Sequence, residues 1–155
     1  MKKIFSVLFF ATFFFACNNG MTKEERLNFN NLSKYLKNTF DIDIASLNTK
    51  LVLINNLGCK ACVNKHLDVF SNSKNNNNQS FTFIVSMSMI NKFNQNCTLD
   101  SNYPLYVDSN NILLKQNIII EGLSIYHINN GNLVSIKTVN INETNDIDLK
   151  NFWFE

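Results

Sequence analysis

Two cysteines separated by two residues are the part of the sequence best suited to chemistry. Cys59 and Cys62 follow a short apolar run, Leu51–Ile54, and open a segment with helical spacing of apolar residues. The first turn of a helix presents unpaired N–H groups and a positive dipole end, which favour a thiolate over a thiol. Lys60 adds a positive charge beside the pair. The pattern predicts a redox-active pair in which Cys59 attacks and Cys62 resolves.

Other interpretations of the same residues remain open. A purely structural disulfide is disfavoured, because cysteines one helical turn apart close a very short loop and gain little entropic stabilisation. Metal binding is an alternative, since Cys59, Cys62 and His66 lie on consecutive turns, and thiolates with imidazole suit Cu(I) or Zn(II). A histidine on an inner helix face is more often a packing residue, and His127 is expected to point away on its strand. We therefore predict no cofactor, with a Cu/Zn site as the alternative.

The N-terminal residues have the pattern of an export signal that ends in a cysteine. Two lysines precede an apolar segment, residues 4–15, which is too short to span a bilayer as a helix. The segment ends in Ala16–Cys17, which is similar to a bacterial lipobox. The sequence therefore predicts a lipoprotein signal peptide at residues 1–16, a lipid on Cys17 and a tether at residues 17–22.

Export determines the expected location and partners of the cysteine pair. Disulfides persist outside the cytoplasm, and acyl chains anchor a protein because each buried methylene contributes about 0.8 kcal/mol. We expect a lipid-anchored protein of the cell envelope that faces the periplasm and acts on disulfide-bearing exported proteins. With Cys17 lipidated, three of the four cysteines remain as thiols. Of these, Cys97 is expected to be a partly buried, small apolar residue.

Length and composition predict one small domain at residues 23–155. The chain has 155 residues, a hydrophobic fraction of 45% and a net charge of +2. The hydrophobic fraction suffices for a packed core, and the small charge gives no reason to expect a nucleic-acid partner. The asparagine run at Asn75–Asn78 is interpreted as a loop insert.

Hydrophobic spacing predicts helices and strands that alternate along the chain. The predicted helices cover residues 22–40, 59–70, 88–95, 110–117 and 146–154. The predicted strands cover residues 51–55, 81–87, 103–107, 123–128 and 133–139. The sequence Asn129–Gly131 between the last two strands is a strong signal for a β-hairpin. This order predicts an α/β fold with a central mixed sheet of about four to five strands and helices on both faces.

The order of elements around a strand-end Cys-x-x-Cys resembles the thioredoxin fold. The likeness is closer to the exported, membrane-tethered thioredoxin-like proteins of the TlpA, ResA and redoxin type. Residues 103–117, beginning Tyr-Pro-Leu-Tyr-Val-Asp, look like the segment that those proteins carry after their second strand, and residues 124–134 resemble their final hairpin. The resemblance covers roughly Leu51–Val139. It implies a thiol–disulfide oxidoreductase that is fed by a membrane electron donor.

The chain departs from this family at three positions near the cysteines. Gly122 stands near the position of the family's cis-proline, Leu57–Gly58 replaces an aromatic residue, and Leu53 replaces a buried carboxylate. By the resemblance, the residues expected to line the substrate groove are Glu121, Gly122 and Leu123. The departures favour a second interpretation, in which a redox-inactive lipoprotein of the same fold binds a partner.

Overall fold

The structure, a computed structural model, describes residues 21–57, 59–73, 79–99, 102–116, 118, 122–139 and 146–155. The helices are α1 (Lys23–Phe40), α2 (Lys60–Ser73), α3 (Ile90–Asn96), α4 (Ile112–Lys115) and α5 (Asp146–Phe154). The strands are β1 (Thr49–Ile54), β2 (Phe81–Ser86), β3 (Leu105–Asp108), β4 (Leu123–Asn129) and β5 (Asn132–Thr138). A single 3-10 turn at Ile44–Ser46 precedes β1. The predicted signal peptide, Cys17 and the asparagine run lie outside the described residues.

The five strands form one mixed sheet in the order β3-β2-β1-β4-β5. β1, β2 and β3 are parallel, whereas β4 pairs antiparallel with β1 and β5. All six residues of β1 and of β2 are buried, including the polar Thr49, Lys50, Thr82 and Ser86, as expected for strands covered on both faces. The predicted hairpin turn is present, with Asn130 and Gly131 both at positive φ.

Alternating residues of the strands enter two separate cores. Val52 and Ile54 pack with residues of α2, α3 and α5, which cover one face of the sheet. Leu51 and Leu53 pack with residues of α1 and α4 on the other face. The α/β class and the mixed sheet flanked by helices are therefore confirmed. In the described part of the chain, no helix has the length and apolar character needed to cross a membrane.

Helix α5 connects the strand that precedes the cysteines to the helix that contains them. Trp153 is fully buried, and its indole Nε1–H donates to the His66 carbonyl oxygen of α2 at 2.9 Å. The Lys50 ammonium of β1 donates to the Trp153 carbonyl oxygen at 2.8 Å, where a cation also suits the negative end of the helix dipole. Burial, and to a smaller extent Lys137, lower the pKa of Lys50 to about 8.

Strand β1 starts two residues before its predicted start, whereas helix α1 starts close to its predicted first residue. β1 begins at Thr49 rather than at residue 51, because Lys50 is buried by its contact with α5. Thr22, where the predicted tether meets the predicted helix at residues 22–40, is the N-cap of α1 and forms a capping box with Glu25. The Glu25 N–H donates to Thr22 Oγ1 at 3.1 Å, and the Thr22 N–H donates to Glu25 Oε2 at 2.8 Å.

Trp153→Ala tests whether α5 is part of the core. The substitution removes a fully buried ring and its hydrogen bond to α2, so we expect the free energy of unfolding to fall by about 3–5 kcal/mol. Ile147→Ala on the same helix is the control, because Ile147 is 72% exposed and should change stability by less than about 0.5 kcal/mol. Urea unfolding measures both. Equal effects of the two substitutions would contradict the buried position of Trp153.

Candidate active site

The cysteine pair lies at the carboxyl end of β1, where the chain turns into α2. Cys59 immediately precedes α2, Cys62 lies in its first turn, and the two sulfurs form a disulfide with a Cα–Cα distance of 5.2 Å. That separation is within the usual range for disulfides. Both cysteines are half-buried, whereas Lys60 and Ala61 between them are exposed. A thiol at either position can therefore be reached from solvent, and Cys62 also packs against the α2-side core.

The sulfur of Cys59 occupies the position of an N-cap acceptor. The Cys62 N–H donates to Cys59 Sγ at 3.2 Å, and the Val63 N–H donates to the Cys59 carbonyl oxygen at 3.1 Å. An N-cap side chain accepts from the amide two or three residues on, one of the donors that has no partner within the helix. A thiolate at Cys59 would gain more from this contact than the disulfide sulfur does, because hydrogen bonds to charged groups are stronger.

The turn before Cys59 lies against the start of β4. The Asn55 N–H donates to the Gly122 carbonyl oxygen at 2.9 Å, and Asn55 Oδ1 accepts from the Leu57 N–H at 2.7 Å. A Cβ on Gly122 would overlap the Leu57 carbonyl oxygen and would lie 2.9 Å from Val63 Cγ2. Gly122 therefore borders the cysteine turn because it has no side chain.

The other residues predicted to line a groove differ in position. The Leu123 side chain is fully buried in the α2-side core, so a groove at this position would have to be formed by its backbone. Glu121 and Gly58 lie outside the described residues. The peptide bonds among the described residues are all trans, including the bond at Pro104. Asn55 is not among the predicted site residues, although an asparagine directly after a buried strand is a common signal for a turn held by its own side chain.

His66 lies in the interface between α2 and α5. Its side chain is buried, and its ring centroid is 4.4 Å from that of Phe152 in an edge-to-face arrangement. Burial, and to a smaller extent the positive charge of Lys65, lower the pKa of His66 to about 4. Within the described ranges, no three His, Cys, Asp or Glu side chains are grouped as metal ligands. The structure therefore does not bring His66 together with Cys59 and Cys62 as a ligand set.

The remaining histidine lies on β4, and the remaining cysteine directly follows α3. His127 is half-buried on β4, where it pairs with Lys50 of β1. Cys97 is buried at the end of α3 among aromatic residues, and its N–H donates to the Phe93 carbonyl oxygen at 2.8 Å. Its surroundings are those expected for a small apolar residue.

Comparison of the chain with protein-family models, curated proteins and solved structures finds no match in any of the three. The chemistry of the site is therefore inferred from its own residues. These are a half-buried cysteine directly before a helix, a second cysteine in its first turn, and a backbone turn packed against Gly122.

Gly122→Ala tests the close approach between β4 and the cysteine turn. The φ of Gly122 is not in the left-handed region, so the cost is steric: the added methyl group would meet the Leu57 carbonyl oxygen and Val63. We expect the free energy of unfolding to fall by about 1–3 kcal/mol in urea unfolding. The control is Ser135→Ala on β5, which is exposed and should change stability by less than about 0.5 kcal/mol. Unchanged stability in Gly122→Ala would show that the turn has space for a side chain.

The lowered pKa of His66 predicts loss of stability in acid. The unfolded imidazole titrates near 6.5 and the folded one near 4, so the stability is present above pH 6.5 and is lost as the pH falls towards 4. Between about pH 7.5 and about pH 4.5, this histidine should contribute a loss of roughly 2–3 kcal/mol. Urea unfolding at both pH values measures it.

His66→Leu should remove most of that difference between the two pH values, because leucine cannot be protonated. His127→Leu is the matched control: burial, Lys50 and Lys137 lower the pKa of His127 as well, but its side chain is only half-buried. A His66→Leu protein with the same pH dependence as the wild type would contradict the assignment.

Proposed function

We propose that this protein is a thioredoxin-like thiol–disulfide oxidoreductase, tethered to a membrane through Cys17, that acts on disulfides of exported proteins. The hydrogen bond from the Cys62 N–H to Cys59 Sγ at the start of α2 carries the proposal. It gives the sulfur of Cys59, a half-buried residue directly before α2, surroundings that favour a thiolate.

The reaction is a pair of thiol–disulfide exchanges. The Cys59 thiolate attacks one sulfur of a client disulfide, forms a mixed disulfide with it, and the second client sulfur leaves as a thiolate that takes a proton from water. Cys62, after losing its proton, attacks Cys59 Sγ and releases the first client sulfur. The client has then gained two electrons, and the protein holds the Cys59–Cys62 disulfide that is seen in the structure. A membrane electron donor with a dithiol would reduce this disulfide for the next cycle.

The arrangement of strands supports the finer assignment of the fold. β1, α2 and β2 form a βαβ unit with the cysteines at the first strand-to-helix turn, a placement typical of thioredoxin-like redox motifs. The antiparallel hairpin β4–β5 lies on the other side of β1, and its first residues meet the cysteine turn at Gly122. This is the position at which the family resemblance places the residue that faces the cysteines.

A redox assay with cysteine variants tests the proposal. Wild-type protein should accelerate the reduction of insulin by dithiothreitol, and Cys59→Ser should abolish the acceleration because it removes the attacking sulfur. Cys97→Ala is the control: Cys97 is buried and takes no part in the Cys59–Cys62 disulfide, so this variant should leave the rate unchanged. In the reduced protein, the pH dependence of Cys59 alkylation should give a pKa below the ordinary value of about 8.5.

An ordinary thiol pKa at Cys59 together with no insulin reduction would contradict the oxidoreductase proposal. In that case, a protein whose cysteines still oxidise and reduce without turnover would fit the binding-module interpretation instead. Stoichiometric Cu(I) or Zn(II) retained on desalting, and lost in His66→Ala, would contradict the placement of His66 in the α2–α5 interface.

A further inference from the structure

Asn55 is a fully buried polar side chain at the base of the cysteine turn. It follows the last residue of β1, and none of its surface is exposed. Its Oδ1 accepts from the Leu57 N–H at 2.7 Å, and its backbone N–H donates to the Gly122 carbonyl oxygen at 2.9 Å. Its Nδ2 makes no hydrogen bond to any described residue. Burying a primary amide costs free energy unless it is hydrogen-bonded, so this residue calls for an explanation.

Two other buried polar residues lie at the carboxyl ends of the neighbouring parallel strands β2 and β3. Both carboxylate oxygens of Asp108 accept backbone N–H groups at 3.0 Å, from Ile112 and Leu113 at the start of α4. The Ser86 hydroxyl is 3.0 Å from the Ser88 hydroxyl in the turn after β2. Each of these residues holds the loop that follows its own strand. By the same logic, Asn55 holds the loop that leads to Cys59.

The backbone N–H and the carbonyl oxygen of Leu57 each contact a different residue, Asn55 and Gly122. The Leu57 N–H is bound by Asn55 Oδ1, and the Leu57 carbonyl oxygen lies where a Cβ of Gly122 would be. The side chain of Leu57 is 40% exposed, so its packing does not fix the turn. The position of the backbone before Cys59 therefore depends on the Asn55 amide and on the absence of a side chain at Gly122.

We propose that Asn55 is a positioning residue for Cys59, an inference that rests on the proposed oxidoreductase function. By holding the Leu57 N–H, its side chain keeps Cys59 at the N-cap of α2, where the Cys62 N–H reaches Sγ at 3.2 Å. Without this contact, the turn can relax and the sulfur can leave the helix start. The reduced protein then loses stabilisation of the thiolate, while the disulfide, which carries no charge, loses less.

The test compares the full-length wild type with Asn55→Ala and Asn55→Ser. The measurements are the pH dependence of Cys59 alkylation by iodoacetamide, followed by mass spectrometry, and the thiol–disulfide equilibrium with glutathione. In Asn55→Ala, we expect the pKa of Cys59 to rise by about one unit, the size of one hydrogen bond to a charged group. The glutathione equilibrium should shift towards the protein disulfide by about tenfold. Asn55→Ser keeps an oxygen that can accept from Leu57, so its shifts should be smaller.

Thr49→Val is the matched control for a general loss of stability. Thr49 is a buried polar residue at the opposite end of β1, and its hydroxyl donates to the Ser80 carbonyl oxygen at 3.0 Å. This variant should lower the urea midpoint without changing the pKa of Cys59. If Asn55→Ala does not fold, Asn55→Ser decides the question, and a rise in the pKa of Cys59 supports the proposal.

Two results would overturn the positioning role. In the first, the wild type has a lowered Cys59 pKa and the Asn55 variants share it, so the oxidoreductase function stands while Asn55 affects stability alone. In the second, Cys59 of the wild type titrates near the ordinary value of about 8.5, so the proposed function fails and the positioning role fails with it.

Discussion

The contact between the Cys62 N–H and Cys59 Sγ is the interaction on which the site depends. It exists because α2 begins one residue after Cys59, which leaves the first amides of the helix without backbone partners and places one of them, the Cys62 N–H, at the sulfur. A helix that began a turn earlier would bind those amides to carbonyl oxygens and would leave Cys59 in a helix interior. The boundary of α2 therefore decides whether the pair has an activated member.

The boundary of α2 is in turn fixed by elements on both sides. On the N-terminal side, the turn is held by Asn55 and fits against Gly122. On the other side, Trp153 binds the carbonyl oxygen of His66 within α2, and Lys50 of β1 binds the carbonyl oxygen of Trp153. Strand β1, which precedes the cysteines, and helix α2, which contains Cys62, are thus joined through α5 as well as through the turn. Motion of one relative to the other would break buried hydrogen bonds and expose aromatic surface.

The sequence predicts the order of the elements, because that order follows from local signals. Continuous apolar runs predict the buried strands, the Asn-Gly turn predicts the hairpin, and the spacing of Cys59 and Cys62 predicts the site at a helix start.

Features that depend on distant contacts could not be predicted in this way. The burial of Lys50 requires a carbonyl oxygen from α5, and the packing of His66 requires Phe152 of the same helix. The close approach of Gly122 to Leu57 could not be predicted from local signals for the same reason, since the two residues are far apart in the sequence.

The absence of a side chain at Gly122 has a steric consequence for the turn that leads to Cys59. Any side chain there would meet the Leu57 carbonyl oxygen and Val63, so the turn can approach β4 this closely only with glycine present. A residue with a bulky ring would have to push the turn outwards, and Asn55 could then no longer hold Leu57 while its own N–H binds the Gly122 carbonyl oxygen. The two hydrogen bonds of Asn55 therefore depend on the absence of a side chain at Gly122. The hydrogen bond to Cys59 Sγ joins the residue before α2 to the first turn of that helix, and it uses neither a proline nor an aromatic side chain.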